Sequence, residues 1–144
     1  MKKLVISIIL VIIGMVIFFI GGNYFVNEAR PTLNGNEKII SKSLNKDGKP
    51  EDVIGSIPEN SDIPKNLNEA YVSVKVNHKD FKEGRVTLEY DKKVIDDVVI
   101  KVSKDGYISY HVKDISNMNT GLYQLSFYDE NDKVNVYAAF EVVE

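Results

Sequence analysis

The side chains able to do chemistry are few. His78 and His111 are the only histidines and there is no cysteine, so thiolate chemistry has no residue to begin from and imidazole chemistry has two. His78 falls in an expected turn, and His111 points outward from an expected strand that carries no Cys or Glu at ligand spacing. Both read as surface residues. The acidic runs Asp96-Asp97 and Asp129-Glu130-Asn131-Asp132 offer the oxygens that calcium takes. Neither belongs to an Asp-x-Asp-x-Asp-Gly loop, so both read as solvated turns. No phosphate-cradling glycine loop, nucleophile elbow or pair of buried carboxylates can be picked out. The expectation is a protein without catalytic, cofactor or metal residues, and not an enzyme. The remaining chemistry is contact chemistry. Tyr71, Tyr107 and Tyr137, with Val99 and His111, lie in the opposite phase to the expected core positions and are the candidate partner-binding residues, because tyrosine buries a large rigid area while keeping a polar tip.

What holds such a surface in place starts at the N-terminus. Leu4 to Ile20 is a run of 17 residues, 15 of them large and apolar, interrupted only by Ser7 and Gly14 and preceded by Lys2 and Lys3. As a helix at about 1.5 Å per residue it spans roughly 25 Å, close to a hydrocarbon core of about 30 Å. Its insertion is favourable by an upper estimate of about 4 to 9 kcal/mol. Residues 1–22 therefore read as a signal-anchor. A cleaved secretory signal is the competing reading, disfavoured by the length of the run and by Ile20 or Phe19 standing where a small residue is needed for cleavage. Lys2 and Lys3 keep the N-terminus cytoplasmic and send the C-terminus outside. Ser7, Gly14 and Gly21 recur every seven residues and share one stripe of the helix. Small residues in such a stripe permit close helix packing, so a homo-oligomer through the span is a further expectation.

Beyond residue 22 the chain holds 16 basic and 21 acidic side chains, a net charge of −5. That sign repels phosphate backbones and anionic headgroups, which argues against nucleic-acid binding. All four prolines fall between Pro31 and Pro64. Residues 23–69, polar and without a sustained period, read as a stalk or linker; the alternative is that Glu37 to Ser43 or Glu51 to Ile57 docks as an extra strand. From Tyr71 the pattern becomes period two. Six runs follow, centred on Val72 to Val76, Val86 to Tyr90, Val98 to Val102, Ile108 to Val112, Tyr123 to Phe127 and Val136 to Val142. Gly84, Gly106 and Gly121 each precede a run, where a turn needs positive φ. Lys104-Asp105-Gly106 reads as a hairpin between the third and fourth runs, and Asp129 to Lys133 as a loop between the fifth and sixth. One apolar face per strand and no helix over residues 70–144 predict a small antiparallel β-sandwich, an all-β fold, with an open barrel as the alternative.

The stretch Asn119-Thr120-Gly121-Leu122-Tyr123-Gln124-Leu125 resembles the tyrosine-corner segment of immunoglobulin-like domains. Tyr123 matches the corner tyrosine, whose hydroxyl bonds the backbone just upstream. Leu125 stands where antibody domains carry a disulfide cysteine, and no tryptophan is present. The resemblance, over residues 71–144, is therefore to bacterial immunoglobulin-like modules without the disulfide. It implies an adhesion, spacer or binding role and carries over no active site. Together these readings predict a single-pass bacterial cell-membrane protein whose outer head binds another protein of the envelope. The alternative is a secreted or wall-facing inhibitor or immunity-type factor released by cleavage.

Overall fold

The computed structural model describes residues 33–77 and 80–144. The apolar run with Ser7, Gly14 and Gly21, and also His78, lie outside the described residues. Among those described, nine strands account for most of the chain: β1 Leu33–Leu44, β2 Pro50–Ser56, β3 Asp62–Pro64, β4 Glu69–Val76, β5 Glu83–Tyr90, β6 Lys93–Lys101, β7 Tyr107–Lys113, β8 Gly121–Tyr128 and β9 Val134–Val143. They form a four-stranded sheet in the order β2-β1-β4-β7 and a five-stranded sheet in the order β3-β9-β8-β5-β6. All pairings are antiparallel except β3 with β9.

The six period-two runs fall within β4 to β9 or at their ends, and their apolar phases make the core. Val72, Val74, Val86, Ile108, Leu125, Phe127, Ala138, Phe140 and Val142 are all fully buried. Because successive strand side chains point to opposite faces, one phase of each strand turns to the core and the other turns away.

The stalk expected over residues 23–69 gives way, from Leu33 on, to three strands of the domain itself. Both segments offered as alternatives dock: β1 lies between β2 and β4, so it is an interior strand. Ile40 of β1 and Ile63 of β3 reach the core with no exposed area. An Asn45-centred turn joins β1 to β2, its side-chain oxygen accepting the amides of Asp47 and Lys49 at 2.9 Å each. The local signal was that of a loop, because turn-formers and prolines surround only a few apolar residues.

Two turns differ from expectation. Gly106 does turn the chain, with φ +83°, but β6 and β7 then enter different sheets. Lys104-Asp105-Gly106 is therefore a crossing between sheets and not a hairpin ladder. The hairpin that does occur joins β5 to β6 through Asp91 and Lys92, both at positive φ, a geometry that matches strand twist. Gly84 lies inside β5 and serves space, not turning: an added Cβ would stand 3.0 Å from Ile108 Cδ1 and from Phe81 Cζ.

Candidate functional site

The five contact candidates do not converge. Tyr71 and His111 oppose one another across β4 and β7 on the outer face of the four-stranded sheet. Their rings stack at 4.4 Å, and His111 Nε2 lies 2.6 Å from Glu69 Oε2. Val99 and Tyr137 lie on the outer face of the other sheet, 63% and 56% exposed. The two pairs thus face opposite sides of the molecule.

Tyr107, expected outside, is buried with 5% exposure. Its phase along β7 does point away from the core, but neighbours cover it there. Lys75 Nζ sits 4.4 Å above its ring and donates to the Asp105 carbonyl, while the Tyr107 hydroxyl donates to Glu37 Oε1 at 2.8 Å. Burial first, then the Glu37 carboxylate, pushes this hydroxyl up to about 12. The covering residue Glu37 belongs to β1, so a stalk reading of that segment leaves Tyr107 wrongly bare.

The acidic runs are engaged within the fold. Arg85 forks onto Asp97, with Nε to Oδ1 and Nη2 to Oδ2 both 2.8 Å, and its Nη1 reaches Asp132 at 3.1 Å. The Arg85 guanidinium holds the Asp97 carboxyl below its ordinary value. Asp129 Oδ1 accepts the amides of Asn131 and Lys133 and so shapes the β8–β9 turn. Among the described residues no three His, Asp or Glu side chains are placed to hold a metal ion.

What stands out is β6. It ends its sheet, with β5 on one side only. Val94, Ile95 and Val99 are exposed by 58%, 54% and 63%. Ile95 is left without a partner by a bulge, since Leu88 opposes Asp96 while Glu89 opposes Val94. On its inner side β6 faces β7, the edge of the other sheet, across a groove of about 500 Å³ lined by Leu88, Val98, Ile100, Tyr110, Val112 and Met118 among others. Tyr110 donates its hydroxyl to Asp96 Oδ2 at 2.6 Å and ties the two edges together. That hydroxyl is held above its ordinary value, first by burial and then by Asp96.

A long edge strand with large exposed apolar side chains presents free backbone donors and acceptors beside a greasy surface, which is how extended segments are captured by strand addition. Of this edge, sequence reasoning offered only Val99 as a contact residue. The overlooked Val94 and Ile95 carried a signal, because Val94-Ile95 and Val98-Val99-Ile100 put apolar residues on both faces of one strand. No protein-family model matches the chain, and no curated protein matches its sequence.

Proposed function

We propose that residues 33–144 are an immunoglobulin-like head that binds another protein through the β6 edge, and that residues 4–20 hold it outside a bacterial cell membrane as a single span with a cytoplasmic N-terminus. The observation that carries the binding role is the free β6 strand with three large apolar side chains more than half exposed. The strand order supports the head: β9-β8-β5-β6 runs as G-F-C-C′ of a variable-type sandwich, and β1-β4-β7 as its A-B-E sheet. Tyr123, near the start of the F-like strand β8, is buried, and its hydroxyl donates to the Asn119 carbonyl at 2.9 Å. The positively flanked apolar run supports the anchor.

The test uses the full chain in detergent-solubilised membranes, with wild type and Val99→Lys as baits. The expected result is a protein retained by the wild type and lost by the variant, with unchanged melting midpoints. Equal retention by both would remove β6 from the binding role. Intact mass of the membrane-bound product checks the anchor: loss of residues 1–22 would overturn it.

A further inference from the structure

We infer that the occupant of the β6 edge is a second copy of this chain, added antiparallel about a two-fold axis centred on Val99. The inference rests on the binding role proposed for that edge and names its partner.

The backbone sets the geometry. Val102 N–H donates to the Lys82 carbonyl at 2.8 Å, one step beyond the Glu83–Lys101 pair. Hydrogen-bonded pairs in an antiparallel ladder recur at every second residue. Ile100, Val98 and Asp96 therefore spend their amides and carbonyls on β5, and Lys101, Val99 and Asp97 point theirs off the sheet. Asp97 agrees, since its N–H turns away from β5 and is taken at 2.9 Å by the neighbouring Asp96 carboxylate, a local bond that pairing with another strand would exchange for one to the facing carbonyl.

Side chains then choose the register. A two-fold pairing centred on Asp97 would set two carboxylates opposite one another. One centred on Val98 would oppose Asp97 to Val99. Centred on Val99, the outward-facing amide and carbonyl of Val99 meet their own counterparts. Asp97 then opposes Lys101 of the other copy on the same outer face, twice by symmetry, and Val98 opposes Ile100 along the groove side. Opposed charges and apolar pairs in direct cross-strand register are stabilising, and like charges there are not. The same pairing covers the Val99 side chain, 63% exposed in the single chain, and closes the open end of the five-stranded sheet.

The absence of cysteine from the sequence makes the test clean. Val99→Cys, Tyr137→Cys and Val53→Cys are made singly in the full chain, held in detergent micelles, and treated with a short thiol-to-thiol cross-linker. Residues in a hydrogen-bonded antiparallel pair have Cα atoms about 5.5 Å apart. Val99→Cys should therefore give a covalent dimer. Tyr137→Cys, exposed on the interior strand β9, and Val53→Cys, on an edge of the other sheet, should not. Adding Lys101→Asp to Val99→Cys should abolish the dimer, whereas Lys101→Arg should keep it. A Val99→Cys protein that melts like wild type yet stays monomeric, or links no better than Tyr137→Cys, overturns the inference. A different protein retained through Val99 in that case would leave the binding edge standing and the second copy refuted; loss of both would refute both.

Discussion

Tyr110→Phe deletes one oxygen from the bond that joins the two sheets at the groove. The ring stays, and with 6% exposure it keeps its packing. What is lost is a 2.6 Å hydrogen bond to Asp96 Oδ2, charge-assisted and therefore worth about 1.5–3 kcal/mol. Asp96 retains one partner, because its Oδ1 accepts the Asp97 amide at 2.9 Å, and the groove is open enough for water to reach the vacated Oδ2. Both points place the cost at the lower end, about 1.5–2 kcal/mol. For a domain of this size that lowers the melting temperature by about 6–9 °C. The assay is denaturant unfolding of the full chain followed by tyrosine fluorescence, with Tyr137→Phe as the control at an exposed site. A midpoint shift without a change in slope is expected for Tyr110→Phe and none for the control. If Tyr110→Phe moves the midpoint no more than Tyr137→Phe does, the hydroxyl does not tie the sheets and the account of the groove fails.

Tyr123→Phe should cost about 0.5–1.5 kcal/mol, because the Asn119 carbonyl it frees is on an exposed residue, while the ring stacks on Tyr90 and Phe140 persist; the denaturant midpoint reads it, and no shift would remove the bond from the stability account. Gly84→Ala should destabilise by about 1–3 kcal/mol, since the added methyl overpacks Ile108 and Phe81, and a midpoint equal to wild type would mean that those side chains yield freely. Stability should fall as pH rises between about 10 and 12, because the unfolded Tyr107 ionises near 10 while the folded one is pushed up to about 12. Below that window the protonated form is common to both states and the contribution is fully present. Tyr110 and Tyr123, also held above their ordinary values, add to the loss, so Tyr107→Phe should reduce it without removing it in melts taken across the window, and an unchanged slope would argue against the burial of the Tyr107 hydroxyl beside Glu37.

What could be read from residue order was whatever depends on neighbours along the chain. The phases of β4, β5, β7, β8 and β9 follow from alternating apolar residues, and the turn at Asp129 follows from an Asx side chain that bonds the next amides. β1 was not legible in the same way. Its buried Ile40 has Lys38 and Lys42 two residues away on either side and only Ile39 as an apolar neighbour, so a strand interior to a sheet looks like linker, and only its two laddered neighbours give it order. The free edge of β6 was hidden by the turn after it. A hairpin at Lys104-Asp105-Gly106 would have paired β6 with β7 and left β6 no free edge. Which sheet a strand joins after a tight turn is decided by packing on both sides of the core, and no window of residues contains that information. Tyr107 is the same lesson at one side chain, since Glu37 lies far from it in sequence and against it in space.

The interior position of β1 also has a mechanical meaning. Tension carried along the chain from upstream of Leu33 enters the domain through a strand laddered to β4 at its start and, from Ile39 on, to β2 as well. An edge strand pulled from its end can peel away one hydrogen bond at a time. A strand held on both sides and loaded along its axis must slide past two neighbours together, so many bonds bear the force at once. If a partner grips β6 at the far end of the opposite sheet, the line of force runs through both layers of the core.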